Sequence, residues 1–354
     1  MNIKSQDKAA ITNSPLTTII EDCAKSIINA QKGTGEIPWA IGEKTDSWDM
    51  VEAIMGLNIC GYFQESKKGF EWLKKTQNSD GSFYASYMNG SPEDMTKDTN
   101  MSSYIAVGLL QYLIITKDLD FTRYIWPTVE KGLNFVISLQ AEGGEIYWAK
   151  SPKGNIDKMC LLTGSSSIYT SLKCGIYLGE KLGFDYPHWK TAAIKLENAL
   201  RKRRHVFDVT KSRYSMDWFY PILCGALTKN ECEKRLEKYW KKFIVEGMGV
   251  RCVSENPWIT MAETCELVLA LNSMGKKRKA EIVFNWILDR RFEDDGSFWC
   301  GFTFPDMVIW PEEKYTWTNG VAIMAADALY DLTPASNLFS HAFWEQKSTW
   351  RYLN

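Results

Sequence analysis

Six apolar stretches punctuate the chain, each opening on polar and aromatic residues and then running into aliphatic and small ones. They are DSWDMVEAIMGLNICG from Asp46, DTNMSSYIAVGLLQYL from Asp98, LTGSSSIYTSLKCGIYL from Leu162, YSMDWFYPILCGAL from Tyr214, PWITMAETCELVLALNSMG from Pro257 and YTWTNGVAIMAADALYDL from Tyr315. Apolarity on all sides of a helix marks burial, and small residues such as Gly56, Gly61, Gly108, Gly175, Ala322, Ala325 and Ala326 allow such helices to approach closely. The stretches between them, 122–140, 189–204, 230–244 and 276–290 among them, carry one apolar face. Strand signals are weak throughout. The pattern predicts six helical hairpins and hence an all-α fold, an (α/α)6 toroid in which six parallel inner helices are sheathed by six outer ones. It is expected to be one domain over 1–354, with a short N-terminal extension (1–15) and a C-terminal tail (335–354).

A repeat supports that reading. KGFEWLKKTQNSDGSF (68–83) and KGLNFVISLQAEGGEIYW (131–148) align Lys68, Gly69, Trp72, Gln77 and Gly81 with Lys131, Gly132, Phe135, Gln140 and Gly144. In a third copy Gln31, Gly35, Glu36, Ile37, Trp39 and Ala40 match Gln140, Gly144, Glu145, Ile146, Trp148 and Ala149, and a weaker fourth places Arg291 in the Gln slot before Asp295-Gly296-Ser297-Phe298. Self-similarity at irregular intervals indicates stacked units that differ in loop length.

Composition narrows the partners. Among 354 residues, 42 Lys and Arg against 43 Asp and Glu leave a formal charge of -1. That balance lacks the basic stripe of a nucleic-acid binder, and Arg201-Lys202-Arg203-Arg204 reads as a solvated helix end. The run from Tyr104 is interrupted and too short to span a bilayer, although peripheral membrane contact stays open, and MNIKSQDKAA has no signal-peptide core. A cytoplasmic location is expected. Nine Cys without CxxC spacing read as reduced, buried thiols. The three His (188, 205, 341) stand outside the helix-opening segments, so no zinc site and no cofactor is expected.

Parallel inner helices bring their N-termini to one mouth, where the helix dipoles favour anions. The residues that open them should converge there: Asp46, Trp48, Asp49, Asp98, Thr99, Asn100, Thr163, Ser165, Tyr214, Asp217, Trp218, Trp258, Thr260, Glu263, Tyr315, Trp317 and Asn319. Asp, Ser, Thr and Asn are also ordinary N-caps, but caps need no Trp or Tyr beside them. The expected catalytic carboxylates are Asp217, Asp98, Glu263 and Asp49, and the expected substrate contacts are Trp48, Asn100, Tyr214, Trp218, Trp258, Trp317 and Asn319. Asp46, Asp49 and Glu52 share one helix face at i, i+3 spacing. Crowded, ring-shielded carboxyls rise in pKa, as a general acid near neutrality requires. Asp217, between Tyr214 and Trp218-Phe219-Tyr220, is the leading proton donor or acceptor.

The repeat of Lys-Gly, aromatic, Gln, short acidic turn, Gly and aromatic resembles that of squalene and oxidosqualene cyclases and of protein prenyltransferase β subunits, over roughly Ala24 to Leu329. The resemblance implies the toroid, with the Gln stapling neighbouring outer helices, and implies an isoprenoid substrate with aromatic faces stabilising cationic intermediates. The chain departs from both branches in having no DxDD acid motif and no Asp, Cys and His zinc set. The motif favours an isoprenoid enzyme, and the acid-rich mouth with Trp platforms keeps an α/α-barrel glycoside hydrolase or polysaccharide lyase, acting on a carbohydrate, as the alternative. A non-catalytic binding toroid is the third reading. Oligomeric state is not legible.

Overall fold

The computed structural model describes residues 15–348. Of the expected N-terminal extension only Pro15 falls within that range, and the last six residues lie outside it. Twelve main helical units alternate outward and inward along the chain. The inner ones are Ser47–Ile59, Thr99–Ser103 continued by Ile105–Thr116, Leu162–Leu182, Ser215–Leu223, Met261–Ser273 and Thr316–Tyr330. Each inner helix packs on the next and the sixth packs on the first, which closes the ring. The outer helices, Pro15–Ala30, Phe63–Thr76, Leu119–Ser138, Pro187–Lys202, Lys229–Phe243 and Lys277–Asn285, lie against them. The (α/α)6 toroid read from the apolar pattern is the fold observed. At the closure Gly56 and Gly320 face one another: a Cβ on Gly320 would stand 2.5 Å from the Glu52 carbonyl oxygen, so no larger residue fits there.

The repeat motif is the fastening between units. Gln77 Nε2 donates to the Gly81 carbonyl (2.9 Å) in its own turn and to the Thr128 carbonyl (2.8 Å) on the next outer helix. Gln140 does the same to Gly144 and Ala192, both at 2.9 Å, and Gln31 to Gly35 (3.2 Å) and Glu65 (2.9 Å). The turn glycines Gly35, Gly81 and Gly144 all have φ between +89° and +99°. A Cβ there would fall 2.2–2.3 Å from the carbonyl oxygens of Lys68, Lys131 and Lys195. The Gln and Gly positions of the motif therefore report how hairpins dock.

Two four-stranded antiparallel sheets rim the mouth, one formed by Phe83–Met88, Ser91–Asp98, Ala149–Lys150 and Ile156–Asp157, the other by Ile244–Val245, Gly249–Arg251, Trp258–Thr260 and Gly301–Thr303. The sequence pattern did not show them, because most strands have two or three residues and the longest, SPEDMTKD, is polar and exposed along most of its length. They feed directly into the second and fifth inner helices, which fixes where those helices begin. At the opposite end the stretch after Ala335 packs inward, burying Leu338, Phe339 and Trp344.

Candidate active site

The first inner helix opens with Asp46 as its N-cap, accepting from the Asp49 amide (2.9 Å) and from Trp39 Nε1 (2.8 Å). One turn in, Trp48 Nε1 donates to Glu52 Oε1 (3.0 Å). The fifth inner helix repeats the spacing with Glu263 and Glu266, and the buried Tyr220 hydroxyl donates to Glu266. These groups meet in a cavity of about 380 Å³ lined by Asp49, Glu52, Glu263 and Glu266 and walled by Trp39, Trp48, Trp258, Tyr315 and Trp317, with Cys252 and Cys300 among the remaining lining residues. Trp317 stacks on Tyr315 (4.2 Å between centroids, 10° between planes) and meets Trp39 edge-on at 4.9 Å. Among the described residues no Lys or Arg lines this cavity.

Helix phase sorts the candidates. Counting each helix from its first residue, the cavity is lined by second, third and sixth positions: Trp48, Asp49 and Glu52; Met216; Ala262, Glu263 and Glu266; Trp317 and Thr318. At about 100° per residue these three positions share a face, and the fourth lies about 150° away. Trp218 and Asn319 are fourth residues, and both are buried in the wall. Trp218 stacks on Phe243 (5.5 Å, 11°) and donates to the Arg235 carbonyl, while Asn319 is occupied by the Phe298 amide (2.9 Å) and the Tyr315 carbonyl (3.0 Å). Tyr214 is a half-exposed rim residue bridged to Val253.

Asp217 is the exception to that phase: it is the third residue of Ser215–Leu223 and does not line the cavity. Its Oδ1 accepts from Thr163 Oγ1 (2.7 Å) and the Thr163 amide (3.2 Å), supplying the cap that the third inner helix lacks, since Leu161 precedes it. Asp98 caps the second inner helix through the Met101 amide (3.0 Å) and, with Asn100, lines a smaller neighbouring pocket that shares Trp48 as a wall. Trp39 and Glu266 were missed by the sequence reading, though each had a signal. Trp39 is the repeat counterpart of Trp148, and Glu266 follows Glu263 as Glu52 follows Asp49.

Burial dominates the electrostatics of the cluster. It pushes Asp49 well above the usual carboxylate range, reinforced by the charges of Asp46 and Glu52. Glu52 rises to about 8 for the same first reason, despite the Trp48 hydrogen bond that favours its anion. Glu266 is driven well up by burial and by Glu52 and Glu263, and Asp98 to about 6, mainly by burial. The helix dipoles oppose these shifts, but a dipole contributes roughly 1 kcal/mol against burial shifts that can reach several pKa units, so protonated acids persist at neutral pH. Such a site can donate a proton to a bound oxygen. A larger cavity of about 590 Å³ lies at the C-terminal ends of the inner helices, among Gly225, Asn272, Gly275 and Trp344, away from this cluster.

The toroid fold is shared with solved glycosidases. The chain is similar in fold to several solved structures: a GH63 mannosylglycerate hydrolase from Thermus thermophilus bound to glucose (TM-score 0.68, 10% identity, 86% of this chain and 99% of that one), a D-mannose isomerase (TM-score 0.67, 11% identity, 90% and 97%) and a glycosidase variant bound to glucose (TM-score 0.64, 12% identity, 94% and 100%). At identities of 10–12%, these likenesses establish the fold and say nothing about the reaction. No protein-family model matches the chain.

Sequence likeness goes further. The chain is 41% identical over 336 residues, 94% of its own length and 93% of the relative's, to the MMP endo-(1,4)-3-O-methyl-α-D-mannosidase of Mycolicibacterium hassiacum. It belongs to the family of that mannosidase. This overturns the expected kinship with terpenoid cyclases and prenyltransferases and, with it, the isoprenoid substrate. The error has a physical origin: the Gln and Gly motif that suggested those enzymes fastens one hairpin to the next, so it marks the toroid and not the reaction. Among the described residues no helix is long and apolar enough to cross a membrane.

Proposed function

We propose that the protein is a glycoside hydrolase that cleaves internal α-(1→4) linkages between mannose units, 3-O-methylated mannose among them, as the name of its relative describes for that enzyme. The observation that carries the reading is the pairing of Asp49 and Glu263, at equivalent third positions of the first and fifth inner helices, in one tryptophan-walled cavity. Asp49, held protonated by burial and by Asp46 and Glu52, is the general acid. It gives its proton to the glycosidic oxygen as the bond to the anomeric carbon breaks. Glu263 is the partner carboxylate, which takes a proton from the water that attacks that carbon.

The remaining residues position and shield. Asp46 holds the start of the Asp49 helix, and Glu52 and Glu266, tied to Trp48 and Tyr220, form the protonated floor. Trp39, Trp258 and Trp317 offer faces to the apolar sides of sugar rings. Asp217 and Asp98 act as helix caps that place their neighbours, and Asp98 also faces the smaller pocket. No metal or other cofactor is assigned a role. Nine unpaired thiols suit a reducing compartment, and a cytoplasmic location is proposed on that ground. The test is incubation with a 4-linked 3-O-methyl-α-mannose oligosaccharide and mass spectrometry of the products. Shorter oligosaccharides released from internal positions are expected, and an unchanged substrate, with an unchanged unmethylated counterpart, would refute the assignment.

A further inference from the structure

The smaller pocket beside the carboxylate cavity has a distinct character. It measures about 110 Å³ and is walled mainly by apolar groups, among them Met101, Ile146, Leu161 and Ile168, with Trp48 shared between the two cavities. It is built on the same plan as the larger one. Thr99 and Thr316 are the first residues of their helices, and the Thr99 amide donates to the Trp148 carbonyl (2.9 Å) as the Thr316 amide donates to that of Trp39 (2.8 Å). Asp98 caps the second helix as Asp46 caps the first. Counting from those caps, Asn100 stands where the first helix has Trp48, and Met101 stands where it has Asp49. The position of the acid is thus filled by a thioether, and the pocket is equipped to bind.

Its polar groups are waiting for a partner. Asn100 is 5% exposed and Ser165 2% exposed. Neither the Asn100 amide atoms nor Ser165 Oγ has a hydrogen-bond partner among the described residues, and Trp148 Nε1 has none either. Buried polar atoms without partners are costly and uncommon, and four of them around one small apolar pocket point to a ligand that brings its own oxygen together with an apolar group. The volume is on the order of four waters at about 30 Å³ each, which accommodates a substituent better than a further sugar ring.

We infer that this pocket is a specificity pocket for an O-methyl group on the sugar chain held at the mouth, with the methyl against the apolar wall and the ether oxygen accepting from Asn100 Nδ2 or Trp148 Nε1. The inference rests on the mannosidase reading above and adds to it the place where methylation is read. A pocket of this kind discriminates by one buried methyl, an effect of roughly 10- to 200-fold in kcat/KM.

The test compares kcat/KM for a matched pair of 4-linked α-mannose oligosaccharides, one 3-O-methylated and one not, with the wild type, Ser165→Val and Gly164→Ala. A Cβ at Gly164 meets only Leu161 and Asn100, at 3.6 and 3.7 Å, so that variant narrows the pocket without a clash and guards against misfolding of the other. The wild type should prefer the methylated chain by about tenfold or more, and both variants should bring the ratio toward one, whatever happens to the overall rate. A wild type without preference, or an undiminished ratio in both folded variants, overturns the pocket assignment while leaving the mannosidase reading intact. A wild type that cleaves neither substrate overturns both.

Discussion

Glu52→Gln isolates the electrostatic character of the cavity. Burial raises Glu52 to about 8, whereas in the unfolded chain it titrates at about 4.3. Between these values the folded protein holds a proton that the unfolded chain has released, so stability falls as pH rises, by about 1.4 kcal/mol per pH unit. Gln keeps the acceptor for Trp48 Nε1, which lies 3.0 Å from the carboxylate, and cannot ionise. From about pH 5 to about pH 8 the variant should therefore gain roughly 4 kcal/mol relative to the wild type. With an unfolding entropy of roughly 0.7 kcal/mol/K for a chain of this length, that corresponds to a relative rise in Tm of roughly 5–6 °C. Differential scanning calorimetry of both proteins across that range reads it directly. A Tm difference that stays constant across the same range would show that Glu52 is ionised in the folded state and that the cavity is better solvated than its burial implies.

Other perturbations test other parts of the account. Gln77→Ala and Gln140→Ala each remove two hydrogen bonds, one within the turn and one to the next outer helix; each should lower stability by about 1–2 kcal/mol in denaturant titrations and leave turnover per folded molecule unchanged. Asp217→Asn retains an acceptor for Thr163 and should cost about 1 kcal/mol or less with hydrolysis preserved, so a large loss of rate at full stability would return Asp217 to the reacting centre. Trp310 is 57% exposed and leans edge-on against Trp258 at 5.3 Å. Trp310→Ala should raise KM for long oligosaccharides more than for short ones, and an equal effect on both would remove it from the path of the chain.

Much of the fold was legible because its determinants are local and repeated. All-round apolarity identified the inner helices, one-faced patterns the outer ones, and the Gln and Gly spacing their fastening. The same spacing misdirected the functional reading, since its Gln and Gly residues fasten one hairpin to the next and do not line the carboxylate cavity. Residues of the helix openings line the carboxylate cavity. Their rotation was not resolved: second and third residues such as Trp48 and Asp49 face the cavity, while the fourth residues Trp218 and Asn319 turn into the wall. One or two residues of uncertainty in a helix start rotate every assignment by about 100° or more. The rim sheets, which set those starts, are too short and polar to announce themselves.

The most direct test of the central claim is the leaving-group dependence of Asp49→Asn beside Glu263→Gln. An aryl α-mannoside expels a phenolate that needs little protonation, whereas a sugar leaving group needs a proton from the acid. If Asp49 is that acid, Asp49→Asn should lose about 10²-fold or more on the mannose oligosaccharide and far less on the aryl glycoside, while Glu263→Gln should be impaired on both. Equal losses for Asp49→Asn on the two substrates, or wild-type rates in either folded variant, would contradict the assignment.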